Sequence, residues 1–423
     1  MHASRKPEAS PPRSRAGSSS RLATFRALRY RNFRLLWAGL TVSAVGTWMQ
    51  IVAQSLLVLD LTHGSPAALG TVSLAQALSF LLFALVGGDA TDRFDKRRLL
   101  LLTQSILMGL AVLLGVLTAT GVIRFWMVPL VAFGSGATLS FDQPARNSLI
   151  ASLVPKENLM NAVALQSAVF NGASVLGPAL ASLALSRMGY SGNFFLNAAS
   201  YFGVLAALLL LHTPAAQQTT VPGGNLLDSV RRALRYVQRD AVLPSVLSPY
   251  GALLFFGPSA ALMIPLFTRQ VLWAGPADLG MLFSALGAGT VLSALIIASL
   301  GDLRYKDRLV FVSILLWTVA LAAFGLSGSL RVAIPALFIL GAAQNAAGAV
   351  TVTLLQTRVP PEMRGRAMSL NTLLIMCVRP LGDFPAGAII GWLGFRPALL
   401  LSAALVGATL VTLFVTSFTA RRA

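Results

Sequence analysis

Repeated apolar runs of about twenty residues constrain this chain more than any other feature of its sequence. Two of these runs, 67–86 and 99–122, flank the short charged segment 88–98. Because about 20 helical residues span the roughly 30 Å hydrocarbon core of a bilayer, each run predicts a transmembrane helix. The charged segment between them must therefore be a loop at a membrane face.

Composition also indicates a chain that lies mostly inside a membrane. Of its 423 residues, 56% are hydrophobic and 11% are charged, whereas soluble domains carry about 25% charged residues. The net charge of +19 would suggest a nucleic-acid partner in a soluble protein. Here the basic residues lie in loops between apolar runs, where they set membrane orientation, so no nucleic-acid partner is expected.

Twelve candidate spans can be placed along the chain in two groups of six. The first group covers roughly 35–61, 67–86, 99–122, 126–146, 160–186 and 193–211, and the second covers roughly 244–267, 279–300, 309–326, 332–355, 368–393 and 397–418. With the N-terminus inside, 27 Lys and Arg residues fall in predicted cytoplasmic segments and five fall in outer loops. This asymmetry predicts a multi-pass protein of a bacterial-type inner membrane with both termini in the cytoplasm.

Four segments make up the predicted organisation: a disordered cytoplasmic tail (1–23), a first six-helix bundle (24–211), a linker with an amphipathic helix (212–243) and a second six-helix bundle (244–423). An internal repeat supports the two bundles. The tetrapeptides that begin at Val154 and Val359 both read Val-Pro-x-Glu, 205 residues apart, and Gly177 and Gly382 coincide at the same offset. Such a repeat is expected of two bundles related by an axis along the membrane normal.

The loop after the second span has a specific spacing of glycine, acidic and basic residues, at Gly88, Asp92, Arg93, Lys96, Arg97 and Arg98. Positive-inside clustering alone would account for the basic residues but not for Gly-x-x-x-Asp-Arg. The spacing resembles the signature loop of the major facilitator superfamily. The resemblance implies an all-α polytopic membrane protein, with twelve transmembrane helices in two pseudo-symmetric six-helix bundles, and a gating role for this loop.

Asp142 and Arg146 lie four residues apart at the predicted cytoplasmic end of span four. Asp142 could contact Arg93 or Arg97 and help to close an inner gate. The alternative is ordinary solvation of loop charges.

Span five contains Gly177 and Pro178, followed by Ala181 and Ser182. The first pair resembles part of the Gly-Pro…Gly-Gly signature of superfamily antiporters that export drugs and other small molecules. The second pair departs from that signature, although small residues still allow close helix packing. A plain proline kink is the alternative.

The fuller resemblance, which begins at Asn32 and covers nearly all of the chain after it, is to the superfamily branch that contains enterobactin-type siderophore exporters and related multidrug efflux proteins. It rests on the segments 32–34, 46–49, 88–98, 142–146, 177–178 and 356–366. Members of this branch often have Asp where this chain has Thr47. The resemblance implies efflux of a small molecule, and the missing Asp shifts the expected proton-carrying role to Asp383.

Polar side chains inside the spans form the predicted substrate cavity: Trp48, Gln50, Gln54, Asn171, Gln344, Asn345 and Arg379. Such side chains are costly in hydrocarbon, so they should face a cavity or another helix. The alternative for each of them is an ordinary hydrogen bond between helices, worth about 0.6 kcal/mol on average.

Arg379 and Asp383 are the sharpest candidates, because Arg379 falls near the middle of span eleven and Asp383 lies one turn further on. One interpretation is a self-neutralised structural pair. The other is functional: Arg379 contacts an anionic substrate, and Asp383 gains and loses a proton during transport. The sequence leaves both interpretations open.

The sequence lacks the motifs that would indicate ATP-driven transport or a metal site. No lysine follows a glycine, so the chain has no P-loop for ATP. The three histidines lie at chain ends or in loops, and Cys377 is the only cysteine. Neither a metal site nor another cofactor is therefore expected.

We therefore expect a secondary transporter rather than an enzyme. In this hypothesis two bundles alternately expose one central site, and proton entry drives export of a small molecule such as a siderophore, drug or secondary metabolite. The expected partners are the lipid bilayer, the substrate and protons, and the expected state is a monomer. The main alternative is an uptake carrier or a lipid flippase of the same fold; a transport-dead sensor and an intramembrane enzyme have less support.

Overall fold

The computed structural model describes residues 23–211, 235, 236, 240, 243–300 and 305–420. Within these ranges the chain is almost entirely helical and contains no β-strand. Most of the predicted tail, 1–23, and most of the predicted linker, 212–243, lie outside the described residues.

The first half contains spans 1 to 6. The 3₁₀ segment Ala23–Arg29 comes first, then span 1 (Arg31–Leu61), span 2 (Pro66–Arg93), span 3 (Lys96–Ala119), span 4 (Met127–Leu153) and the continuous segment Leu159–Leu210. That last segment breaks at Gly189, whose φ of +66° is a conformation that favours glycine. Beyond the break, the Asn193 side chain reaches back to the Ala181 carbonyl (3.4 Å). The segment is therefore a helical hairpin that forms spans 5 and 6.

The second half contains spans 7 to 12, two of which are broken. The unbroken ones are span 8 (Pro276–Leu300), span 9 (Lys306–Leu326), span 10 (Leu330–Arg358) and span 12 (Phe395–Ala420). Span 7 consists of Leu243–Phe256, Ala260–Phe267 and the π-helical turn Thr268–Leu272, and it bends by 41°. Span 11 consists of Pro361–Leu373, the π-helical turn Leu374–Val378 and Arg379–Leu393.

These helices make twelve crossings, although length and hydropathy alone select fewer. Nine helices of the described ranges are long and apolar enough to cross a membrane, or ten if the bent pair in span 7 counts as one. One of the nine, Lys156–Leu210, crosses twice because it turns at Gly189. Span 4 adds another crossing: its 27 residues are long enough, but Asp142 and Arg146 lower its hydropathy. The predicted all-α fold of two six-helix bundles is confirmed.

Glycines at equivalent positions of the two halves bring equivalent spans together. A Cβ at Gly136 of span 4 would collide with the Gln76 carbonyl of span 2. A Cβ at Gly341 of span 10 would collide with the Leu286 carbonyl of span 8. The two glycines are 205 residues apart, which is the offset of the sequence repeat. Such close backbone contact at small residues is common where helices pack in a membrane.

The two halves meet along two seams, span 2 against span 11 and span 5 against span 8. At the first seam, a Cβ on Gly70 would lie 2.7 Å from the Asp383 carbonyl oxygen. At the second, a Cβ on Gly287 would lie 2.8 Å from the Ser174 carbonyl oxygen. We call the end that holds residues 94–95 the basic end, which the sequence predicts to be cytoplasmic, and the end that holds residues 62–65 the opposite end.

Polar contacts between the halves lie between mid-depth and the opposite end. Within the described residues they include the hydrogen bonds from Ser182 to the Pro276 carbonyl (2.6 Å), from Ser284 to the Val175 carbonyl (3.0 Å) and from Gln270 to the Gly64 carbonyl (3.4 Å). The ion pair of Asp60 with Arg269 and the contact of Asp383 with the Ser73 hydroxyl also join the halves. The described structure is therefore closed at the opposite end.

Candidate functional site

Asp142 lies at the centre of a buried polar cluster in the first half. Its side chain is fully buried and forms an ion pair with Arg146, one turn later in span 4. The same carboxylate accepts hydrogen bonds from the Thr103 hydroxyl (3.0 Å) and the Gln104 amide (2.7 Å) of span 3. These donors compensate a charge that would be costly to bury alone.

The signature loop makes its contacts elsewhere. Arg93 pairs with Asp89 one turn earlier (2.9 Å), where both side chains are largely exposed. Arg97 donates to the carbonyl oxygens of residues 208–209 at the end of span 6 (2.5 and 2.8 Å). The contact from Asp142 to Arg93 or Arg97 that the sequence suggested is not formed in the described structure, because each of these side chains binds a different partner.

Other residues of the signature loop shape the ends of the helices. Asp95 caps the N-terminus of span 3 by accepting a hydrogen bond from the Arg98 N–H (2.8 Å). Lys96 is the first residue of span 3 and is partly exposed. A Cβ on Gly88 would meet open space, so packing does not require glycine there. The side chain of Asp92 lies outside the described part of the structure.

Two of the four cavity residues predicted in the first half contact neighbouring helices. Gln50 accepts a hydrogen bond from Asn197 of span 6 (2.5 Å), which is the interhelical alternative. Trp48 packs against a phenylalanine of span 5 with ring centroids 5.9 Å apart. The buried indole N–H of Trp48 has no acceptor among the described residues. Gln54 and Asn171 are partly exposed.

The Gly177-Pro178 motif brings span 5 close to span 1. A Cβ on Gly177 would collide with the Cβ of Trp48, so a larger residue would push the helices apart. Pro178 is buried beside it. Ser182, which stands where the antiporter signature has glycine, donates to the Pro276 carbonyl of span 8. The departure from the signature thus adds a hydrogen bond between the halves.

Arg379 lies in a polar cluster at mid-depth in the second half. Its guanidinium donates to the side-chain carbonyl of Gln344 in span 10 (3.1 Å) and interacts electrostatically, at longer range, with Asp383 and with Tyr250 of span 7. Gly348 leaves room for this tyrosine, because a Cβ there would lie 3.0 Å from the phenolic oxygen. Asn345 turns away from the cluster and donates to a serine hydroxyl of span 8 at 3.4 Å.

Asp383 is buried at the first seam, and no ion pair joins it to Arg379 in the described structure. The carboxylate accepts a hydrogen bond from the backbone N–H of Ser259 (2.8 Å), at the break in span 7. The hydroxyl groups of Ser259 and of Ser73 in span 2 also interact with it. Since Ser259 caps the helix Ala260–Phe267, the carboxylate lies at the positive end of that helix.

The break in span 11 has a chemical cause. Pro380 has no N–H, and its ring clashes with the carbonyl of the preceding turn, so a regular α-helix cannot continue through it. The chain forms the π-helical turn Leu374–Val378 immediately before Arg379. Such turns inside α-helices are frequent at functional sites.

A charged group that sequence analysis did not single out lies at the opposite end. Asp60 of span 1 forms an ion pair with Arg269 of span 7 and accepts a hydrogen bond from the Tyr190 hydroxyl. Burial, and then the hydrogen bond and charge of Asp60, raise the pKa of Tyr190 above its usual range, so the phenol stays a donor. The sequence could have indicated this pair. Spans 1 and 7 are the first spans of the two repeated halves, and Asp60 and Arg269 lie near the same end of them.

The geometry offers groups for binding and gating. Arg379 and Tyr250 can bind an anion or another acceptor, Asp383 can exchange a proton, and the Asp60–Arg269 pair can form or break. Within the described ranges, no three His, Cys, Asp or Glu side chains come together as metal ligands.

The sequence profile of the transmembrane secretion effector family, a group within the major facilitator superfamily, matches residues 22–422. The chain belongs to this family. It is therefore a multi-pass membrane protein, and the predicted membership of the major facilitator superfamily is confirmed.

Relatives of this family member include proteins named as efflux proteins. It is 27% identical over 386 residues to the uncharacterized MFS-type transporter YfiS of Bacillus subtilis, and the match covers 88% of this chain and 89% of the relative. It is 22% identical over 394 residues to macrolide efflux protein A of Streptococcus pyogenes (89% and 95%). It is 26% identical over 384 residues to the enterobactin exporter EntS of Citrobacter koseri (90% and 89%).

Solved structures share the fold at low identity. A bacterial homologue of the human lysosomal transporter Spinster, in an inward-facing and unoccupied conformation, matches with a TM-score of 0.74 at 16% identity and covers 93% of this chain and 98% of that chain. The nucleoside transporter NupG matches with a TM-score of 0.72 at 14% identity (92% and 99%). These likenesses confirm the major facilitator architecture.

Proposed function

We propose that this family member is a secondary active exporter, which moves a small molecule by alternating access and is driven by proton entry. The observation that carries the proposal is the placement of two ionisable groups in broken helices. Arg379 lies in the mid-depth polar cluster, and Asp383 lies at the seam between the halves. Relatives named as macrolide efflux protein and enterobactin exporter support cargo such as a drug, siderophore or secondary metabolite.

Alternating access needs contacts at one end that can break while contacts at the other end form. In this structure the ion pair of Asp60 with Arg269 and the hydrogen bonds of Ser182 and Gln270 lie toward the opposite end. These are polar contacts, so water can replace them when the halves separate. We therefore assign this state as the one that receives cargo from the basic end, which the sequence predicts to be cytoplasmic.

Asp383 is the proposed proton carrier. Its carboxylate joins span 11 to Ser259 of span 7 and interacts with Ser73 of span 2, in the other half. Hydrogen bonds to an ionised acceptor are roughly twice as strong as those to a neutral one. Protonation of Asp383 therefore changes the hydrogen bonds at the seam between spans 2 and 11, and this links proton binding to movement of the halves.

The signature loop and the Asp142 cluster form the proposed gate at the basic end. In the present state Arg97 binds the end of span 6, and Arg146 binds Asp142. When the basic end closes, loop residues meet the second half. The residues proposed for this role are Gly88, Asp92, Arg93, Lys96, Arg97, Asp142 and Arg146.

We also propose that the protein acts as a monomer in a bacterial inner membrane, with both termini in the cytoplasm. The distribution of Lys and Arg residues along the chain supports this orientation. The moving bodies would be the bundles 24–211 and 244–423, joined by the linker 212–243.

Inside-out membrane vesicles test direction and coupling in one experiment. Vesicles from a strain that lacks its own efflux pumps, expressing the wild type or Asp383→Asn, are screened with fluorescent drugs and siderophores under a proton gradient. Export predicts accumulation inside these vesicles that an uncoupler abolishes. The Asp383→Asn variant inserts normally and does not accumulate cargo.

Each alternative gives a different result in the same vesicles. Accumulation only in right-side-out vesicles would show an uptake carrier. Movement of labelled lipids between leaflets without drug accumulation would show a flippase. Drug accumulation that neither the uncoupler nor Asp383→Asn affects would contradict proton coupling.

A further inference from the structure

Arg379 has hydrogen-bonding capacity that the described protein does not use. A guanidinium carries five N–H donors, and in the described structure one hydrogen bond is formed, to Gln344 (3.1 Å). The side chain is partly exposed. No carboxylate of the described residues lies within 4 Å of it. A cation in the middle of a membrane needs water or an anion beside it.

The order of charges along span 11 keeps Asp383 from forming an ion pair with Arg379, although the two charges interact at longer range. Helical side chains lean toward the N-terminus of their helix, so an arginine reaches an acid one turn before it more easily than one turn after it. Arg146 follows Asp142 and forms an ion pair with it. Arg379 precedes Asp383 and binds Gln344 instead.

Three spans converge on the guanidinium. Span 10 supplies Gln344, whose neutral oxygen holds the guanidinium in place without cancelling its charge. Span 7 supplies Tyr250, which is buried and interacts electrostatically with Arg379. Gly348 of span 10 leaves room for the phenolic oxygen of this tyrosine. A phenol that is uncharged is a hydrogen-bond donor to an anion held by the arginine.

We propose that Arg379, with Tyr250 beside it, binds an acidic group of the cargo, a carboxylate or a phenolate, so that the exported molecule is an organic anion. This inference rests on the proposed function and names its substrate class. The planar fork of a guanidinium matches the two oxygens of a carboxylate. Organic cations are excluded from the site because Arg379 repels them.

The test is ligand binding to the purified full-length protein in detergent, without a gradient. The probes are aromatic and aliphatic carboxylic acids, each beside its neutral amide and its amine analogue, beginning with salicylate, salicylamide and 2-hydroxybenzylamine. Binding is measured as the shift in unfolding temperature with probe concentration. Arg379→Gln is compared with the wild type and with Arg124→Gln, an exposed loop control.

Acids from this panel are expected to raise the unfolding temperature of the wild type and of Arg124→Gln, whereas amides and amines do not. In Arg379→Gln the affinity for these acids falls by about tenfold or more, as loss of a charged hydrogen bond requires. The proposal is overturned if no acid is preferred over its amide by the wild type, or if Arg379→Gln binds the acids as the wild type does.

A second variant tests the site by filling it. Gln344→Glu places a carboxylate where the neutral amide contacts Arg379. We expect a higher unfolding temperature without ligand, because the variant supplies its own anion, and loss of the response to acids. A Gln344→Glu protein that keeps the wild-type response to acids would contradict the proposal, whether or not Arg379→Gln folds.

Binding without a gradient separates this inference from the proposed function. The protein could bind acids through Arg379 and yet show no proton-driven export. That result would contradict the proposed function and would support the anion site. The protein could instead show proton-driven export of neutral or cationic compounds alone, with no effect of Arg379→Gln. That result would contradict the proposed anion site and would support the proposed exporter function.

Discussion

Span 4 and span 11 each carry an aspartate and an arginine four residues apart, yet only span 4 forms the ion pair. In span 4 the acid comes first, and Arg146 reaches back to Asp142. In span 11 the base comes first; Arg379 binds a glutamine of span 10, and Asp383 binds a backbone N–H of span 7. The same two residue types at the same spacing therefore give a closed pair in one half and two separate groups in the other.

A third pair follows the same rule. Asp89 precedes Arg93 by four residues in span 2, and the two side chains lie 2.9 Å apart, although both are largely exposed. Spacing places two side chains on one face of a helix, but the direction in which side chains lean decides whether they meet. A single helix can thus hold a cation and an anion at mid-depth without joining them in an ion pair.

The largest expected effect is on stability, at the closed pair. Asp142→Ala leaves the partly buried Arg146 without its anion and should cost up to about 3–5 kcal/mol. Denaturant unfolding in detergent measures the loss. Replacing both residues by apolar ones, Asp142→Leu with Arg146→Met, should recover much of it, because apolar substitution of a whole buried pair is often neutral. A cost below about 1 kcal/mol for Asp142→Ala alone would contradict the conclusion that span 4 depends on this ion pair.

A smaller effect on stability is expected at Asp383. Asp383→Ala leaves the Ser259 N–H without its acceptor and should cost about 1–3 kcal/mol. Asp383→Asn keeps an oxygen in the same place, so its unfolding free energy should stay close to the wild type while transport is lost. Equal stability of the two variants would show that the bond to Ser259 contributes little.

The ion pair of Asp60 with Arg269 differs from the other pairs, because it joins the two halves and must break when they separate. Burial and Asp60 raise the pKa of Tyr190, so the neutral phenol is favoured in the folded state. Its contribution to stability is complete below the usual tyrosine pKa of about 10 and falls as the pH rises from there toward the raised value. We expect the unfolding temperature of the wild type to drop more between pH 9 and pH 11 than that of Tyr190→Phe. Parallel pH profiles would contradict this.

The smallest effect is expected at the exposed pair. Asp89→Ala should cost less than about 0.5 kcal/mol, since solvent screens the charges and the side chains lose freedom when they pair. Thermal unfolding of this variant beside Asp142→Ala gives the contrast directly. A cost that approaches that of the buried pair would mean that exposure is not what separates them.

The architecture was predictable because its signals are local. Apolar runs, loop charges and the 205-residue repeat each predict a span, an orientation or a symmetry from neighbouring residues alone. The breaks in spans 7 and 11 were harder to predict. Prolines in a long apolar run indicate a disturbed helix, but they do not determine whether a kink or a π-helical turn forms.

The site was predictable only in part. Gln344 and Arg379 were both predicted for the cavity, and the structure joins them. Gln50 and Asn345 were predicted for it too, but they bind neighbouring helices, because an amide inside a bundle can take any nearby partner. Tyr250 was missed, since an aromatic residue in an apolar run carries no signature of its role.

Alternating access itself can be followed by two distances in the same proteoliposomes. Double electron–electron resonance measures each between spin-labelled cysteines, after the native Cys377 is replaced by alanine. One pair, introduced at His63 and Trp273, joins the halves at the opposite end, and the other, at Arg98 and Arg358, joins them at the basic end. All four positions are exposed.

Acidification of the proteoliposomes favours the protonated form of Asp383 and should shift the halves. We predict that the distances at the two ends change in opposite directions, and that neither changes in Asp383→Asn. Two distances that stay fixed, or that change in the same direction, would contradict it.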